Sequence, residues 1–117
     1  MKEKDFAKSF LKNLKQHCPS FWCVKIHGHE RQLKGVPDNL LCCYGKFIAI
    51  EFKIDRGNGA RATPLQSFEM ERIFKAGGVA VVVWRREKDG RVGFVNREYD
   101  DINTAAERFY WDLVAKI

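Results

Sequence analysis

The sequence holds no apolar run approaching the roughly 20 residues that a membrane-spanning helix requires. Its opening residues, Met1-Lys2-Glu3-Lys4-Asp5, also lack the apolar centre of a secretory leader, so a cytoplasmic protein is expected. No internal repeat or low-complexity segment is present. Acidic side chains are the minority, with 15 Asp and Glu against 21 Lys and Arg, a formal charge of +6 and a pI near 9.3. That balance argues against acidic-surface classes and suits a polyanionic partner. With nine Phe and three Trp among 117 residues, the expectation is one domain over residues 1–117, with one apolar core.

The four cysteines, Cys18, Cys23, Cys42 and Cys43, would form a disulfide framework only in a secreted setting, and here they are expected to be reduced. Cys42 and Cys43 are neighbours on a strand and point to opposite faces, so at least one serves as a small core hydrophobe. Stringing Cys18, Cys23, His27 and His29 into a zinc site gives a spacing that matches no common ligand pattern. The histidines are read instead as loop or strand-end residues.

Hydrophobic periodicity sets out the elements. Phe6, Ala7, Phe10, Leu11 and Leu14 form an apolar stripe on a helix over about 4–16. Residues 21–26 read as a strand, and 27–34 as a polar, basic loop. Two further strands, 39–44 and 47–53, flank a turn at Tyr44-Gly45-Lys46. The glycines of 55–61 deny that segment regular structure, and a mobile loop is expected. Thr63 caps a helix with Pro64 at its first position, ending near Gly77. Val79 to Trp84 is continuously apolar, as expected of a central strand covered on both faces. Asp89-Gly90 turns the chain into a strand over 92–95, and a last helix spans about 103–115. The order αβββαββα describes an α/β (α+β) domain, a small mixed sheet flanked by helices.

The chemistry concentrates at Gly35-Val36-Pro37-Asp38 and Glu51-Phe52-Lys53. With a two-residue turn at Tyr44-Gly45, Asp38 lies opposite Glu51 across the hairpin, and with the turn shifted by one residue it lies opposite Lys53. Either register brings the three groups within reach. Alternation sends Ile48, Ile50, Phe52 and Ile54 to one face, and Phe47, Ala49, Glu51 and Lys53 to the other. Two carboxylates facing each other on a sheet are destabilising unless something cationic compensates, and a divalent metal is the obvious candidate. Taken alone, Glu-x-Lys is also what the solvated face of an amphipathic strand carries.

Gly-x-Pro-Asp, the apolar hairpin, Glu-x-Lys, the Gly-rich basic loop, Gln66 near the start of the next helix, and Gly77-Gly78 before a buried strand occur in one order from Gly35 to Val83. That order resembles the PD-(D/E)xK nuclease superfamily, and within it the virus-type replication-repair nuclease (VRR-NUC) domains and the Holliday junction resolvases. The resemblance implies a restriction-endonuclease-like αβββαβ core. It further implies a Mg²⁺- or Mn²⁺-dependent endonuclease acting on branched DNA in repair, working as a homodimer in a bacterial or phage-infected cell.

Carried over residue by residue, the resemblance gives Asp38, Glu51 and the Phe52 carbonyl as metal ligands and Lys53 as the group that orients water or stabilises developing charge. Gln66 would hold a water or the lysine. Thr63-x-x-Gln66 is equally a capping box, which explains Gln66 without catalysis. Glu3 falls on the apolar face of the first helix and matches an acidic position of the resolvase-like families. It is equally an acid favoured by the helix dipole. Lys25, Arg31, Lys34, Arg56 and Arg61 would grip phosphates without reading sequence. The competing class is a non-catalytic nucleic-acid-binding module that retains the nuclease fold. Apolar contact between subunits is expected around Trp22, Tyr110 and Trp111.

Overall fold

A computed structural model describes residues 1–26 and 34–115. His27, His29 and Arg31, and most of the basic loop read between the first two strands, lie outside the described residues. The elements in order are α1 (Glu3–His17), β1 (Trp22–Lys25), β2 (Asn39–Cys43), β3 (Lys46–Asp55), α2 (Pro64–Lys75), β4 (Val79–Arg86), β5 (Val92–Phe94), β6 (Arg97–Tyr99) and α3 (Ile102–Phe109). The last helix widens into a π turn over Tyr110–Val114.

The six strands form one sheet in the order β1-β2-β3-β4-β5-β6. All neighbours are antiparallel except β3 and β4, which run parallel and are joined through α2. Tyr44 and Gly45 both take left-handed backbone angles, φ 51° and 80°, as a two-residue turn of type I′ demands. That turn sets the hairpin register at Asn39↔Ile50, Leu40↔Ala49 and Cys43↔Lys46. It is the register in which Asp38, one residue before β2, continues opposite Glu51.

The core lies between one sheet face and the helices α1 and α3. Phe6, Phe10 and Leu14 from α1, Phe109 from α3, and Ile48, Ile50, Phe52, Val83 and Phe94 from the sheet are all buried there. Their rings meet edge to face, Phe6 on Phe52 at 5.4 Å, Phe10 on Phe52 at 5.5 Å and Phe10 on Phe109 at 5.5 Å. Aromatic rings prefer this geometry because the electron-poor edge of one faces the electron-rich face of the other.

Three expectations change. The covered central strand is only half-buried along β4, with Val83 alone fully buried, because α2 contributes no buried residue over the second face. The short polar strand β6 is additional. Cys18 and Cys43, expected reduced, are joined in a disulfide that ties the end of α1 to the end of β2. Both side chains are core residues, and the antiparallel hairpin brings Cys43 beneath the residue that follows α1. Cys23 and Cys42 are free thiols, and burial pushes that of Cys23 up. Among the described residues no helix is long and apolar enough to cross a membrane.

Candidate metal centre

Three elements converge on one point. Phe52 faces the core and receives Phe6, so the first turn of α1 is pressed against β3 one residue from Glu51. Glu3, one turn before Phe6, is thereby carried to the edge of the sheet where β2 begins. Asp38 is held through its own peptide, whose carbonyl accepts from Ile26 N–H at 2.7 Å. The approach to Asp38 passes through Gly35, at φ 86°, where a Cβ would stand 2.5 Å from Leu65 Cγ and 2.9 Å from the Leu65 carbonyl oxygen. Only glycine fits there, because both the backbone angle and the contact with α2 exclude a side chain.

In this arrangement one carboxylate oxygen each of Glu3, Asp38 and Glu51 lies within 4.8 Å of the others. Glu51 is 3% exposed. Its Oε1 is buried without a hydrogen-bond partner, and its Oε2 stands 4.0 Å from Lys53 Nζ. Burial, then the neighbouring charge of Asp38, and less strongly that of Glu3, push the Glu51 carboxyl up to about 7. Lys53 and the Asp38 N–H pull the other way and do not win. A buried carboxylate oxygen with no donor, facing two more carboxylates, is an energetic liability that a cation removes. The donors are all oxygen, which fits hard divalent ions such as Mg²⁺ or Mn²⁺ and lacks the sulfur and imidazole of a structural zinc site.

The other residues singled out in the sequence are spread around this point. Gln66 completes the capping box of α2: its Oε1 accepts from Thr63 N–H at 2.9 Å, and its own N–H donates to Thr63 Oγ1 at 3.1 Å. Its amide oxygen is thus committed to the cap. Phe52 turns its ring into the core. Lys25, Lys34, Arg56 and Arg61 are exposed. Of these, Arg56 pairs with Glu87 at 3.1 Å. Sequence reasoning missed Asp55, whose Oδ1 accepts from Gly57 and Gly59 N–H at 2.9 and 3.0 Å and shapes the loop after β3. The signal was present as Asp-x-Gly, an Asx turn. A cavity of about 760 Å³ near Tyr44, Phe47, Ile73 and Tyr110 lies at the opposite end of β3, and none of the three carboxylates lines it.

No family model and no curated protein matches the sequence. Solved structures do match. The Holliday junction resolvase Hjc of Archaeoglobus fulgidus superposes with a TM-score of 0.60 at 16% identity, covering 88% of this chain and 98% of its own. A VRR_NUC domain superposes with a TM-score of 0.54 at 17% identity, covering 92% of this chain and 96% of its own. The chain therefore has the α+β fold shared by VRR-NUC and resolvase-like nucleases.

Proposed function

We propose that the protein is a metal-dependent DNA endonuclease that hydrolyses phosphodiester bonds in branched DNA such as four-way junctions. The observation that carries this reading is the Glu3, Asp38 and Glu51 cluster with Lys53 at its margin. A nucleic-acid-binding module without catalysis has no use for three clustered carboxylates, one of them buried and pushed up to about 7 by its burial and then by the charge of Asp38. The fold shared with a Holliday junction resolvase supports the choice of branched DNA.

Glu51 and Asp38 would hold Mg²⁺ or Mn²⁺, with the Phe52 carbonyl and Glu3 as further ligands. A bound divalent ion supplies countercharge to the phosphoryl oxygens and lowers the pKa of its water. The protein's own part is to hold the three carboxylates together, through the hairpin register and the Phe6–Phe52 contact. Lys53 would orient the attacking water and meet the charge that develops as the leaving oxygen departs. Gln66 would act through its amide nitrogen, its oxygen being held in the cap. Lys25, Arg31, Lys34, Arg56 and Arg61 would fix the phosphate backbone.

Cutting both strands of a junction takes two such sites, and a homodimer provides them. An uncovered apolar face supports this. Trp22, Cys42 and Phe47 form one cross-strand row, and Val24 and Leu40 begin the next, on the side of the sheet away from the core, where Trp22, Val24 and Phe47 are exposed while Ala49 beyond Leu40 is covered. Trp22 is 55% exposed, and Phe68 on α2 is 57% exposed. Trp111 is exposed as well, whereas Tyr110 is half-buried and stacks on His17. The reading is tested by incubating the protein with labelled linear, flap and four-way DNA in Mg²⁺, Mn²⁺ or chelator. Metal-dependent cleavage that favours branched substrates is expected. No cleavage of any substrate with either metal would remove the enzyme assignment.

A further inference from the structure

The exposed side of α1 carries Lys4, Lys8, Lys12 and Lys15, spaced i, i+4, i+8 and i+11. At 3.6 residues per turn these four fall within an arc of about 80°, and they run about 16 Å along the helix. All four are exposed. Among the described residues none is ion-paired, whereas Arg56, Arg72, Lys75, Arg86, Arg91 and Arg108 each have a carboxylate partner. The acids of α1 are Glu3 and Asp5, both in its first turn.

A basic helix face is ordinarily just a solvated one. Two features set this one apart. Lys4 stands in the first turn, where the helix dipole disfavours a cation, so its placement does not serve the helix. The ridge also begins at the same end of α1 as Glu3 of the metal cluster, but on the solvent side of the helix, about 100° or more around from it. A duplex that reaches past the end of the helix would meet, along the solvent side of α1, a row of ammonium groups with no ion pair among the described residues, one every turn or so.

We propose that the ridge from Lys4 to Lys15 is a phosphate-binding track that holds the duplex arm extending from the metal centre. This rests on the nuclease reading above, and it adds a surface that lies on α1, apart from the basic residues of the strands and loops. The track binds backbone without reading bases, so it contributes affinity and direction but no sequence preference. Neutralising phosphates releases condensed counterions, which makes its contribution visible in salt dependence.

The test measures binding of a fluorescein-labelled duplex by anisotropy, in chelator and over a range of NaCl. Each lysine that neutralises a phosphate adds about 0.9 to the slope of log K against log salt, so Lys8→Gln with Lys12→Gln should flatten it by about 1.8. Glutamine and lysine have similar helix propensity, and circular dichroism checks that α1 persists. Lys8→Arg with Lys12→Arg should bind as the parent does. Lys75→Gln with Arg97→Gln removes the same charge elsewhere and should leave the slope at the parent value. An unchanged slope in the Lys8, Lys12 glutamine variant overturns the track and leaves the face to solvent or an acidic protein. So does equal flattening by both glutamine pairs, or a parent that binds no duplex. Cleavage is scored separately. A parent that binds with the expected loss of slope yet never cuts would sink the nuclease reading while the track stands.

Discussion

Asp38 continues the hairpin register opposite Glu51, with a carboxylate oxygen of each within 4.8 Å of the other, and its charge is, after burial, what most pushes the Glu51 carboxyl up. The hairpin register thus holds one carboxylate against another that burial already disfavours. Such a pairing is useful when a cation is to arrive, and costly when none does.

Removing the Asp38 side chain takes that charge away and leaves the backbone pairing with Ile26 in place. Asp38→Ala should abolish cleavage, leave the fold intact and keep most DNA affinity, which comes from the basic surface. The metal-free variant should melt no lower than the parent, since a repelling charge has gone. Paired cleavage, anisotropy and thermal melts check the three outcomes, and full activity would contradict the proposed role of Asp38.

Lys53 is expected to act mainly in the transition state. Lys53→Ala should lower the cleavage rate on the order of 10²–10³-fold, with little change in metal affinity. A rate within a few fold of the parent would leave Lys53 as an ordinary residue of a half-exposed strand face.

The pH dependence of metal-free stability follows from Glu51. Its folded pKa is about 7 against a usual 4.5, so the folded state binds the extra proton between those values. Its contribution is therefore fully present below about pH 4.5 and lost as pH rises through 7, amounting to about 3 kcal/mol. Chemical denaturation of the parent and of Glu51→Gln in chelator across this window should show a decline in the parent that the variant lacks. Parallel curves would contradict the burial of an uncompensated carboxylate.

Much of this geometry was legible because hairpin chemistry is local. Tyr44-Gly45 dictates the turn, the turn dictates the register, and the register sets Asp38 toward Glu51. Glu3 could be placed on the apolar face of its helix, but its meeting with two residues far along the chain depends on the Phe6–Phe52 packing, which no spacing reveals. Strand β6 was missed because its turn runs through Val95 and Asn96 at φ 50° and 64°, and a β-branched residue gives no sign of a left-handed backbone. The open face beside α2 escaped notice for another reason. A continuously apolar strand reads as doubly covered whether this chain or another supplies the cover.

Gly35 offers a structural check on the approach to Asp38. In Gly35→Ala the new methyl meets Leu65 at the start of α2, in a backbone region that costs a non-glycine residue about 1–3 kcal/mol before any clash. Lower stability and impaired cleavage are expected together. A melting temperature equal to the parent's would show that the loop relaxes freely.

Light scattering addresses assembly. The parent should run at twice the subunit mass of 13.6 kDa, and Trp22→Ser should shift it toward the monomer while metal binding persists. A parent that is strictly monomeric at all concentrations would remove the dimer from the proposal.

The most direct measurement is a calorimetric titration of Mn²⁺ into the metal-free protein, without DNA, at pH 7 and pH 8.5. The account predicts saturable binding that is lost in Glu51→Gln, with proton release at pH 7 that shrinks at pH 8.5 as Glu51 ionises beforehand. No binding by the parent, or binding undiminished in Glu51→Gln, would contradict the claim that Glu3, Asp38 and Glu51 form a divalent-cation site.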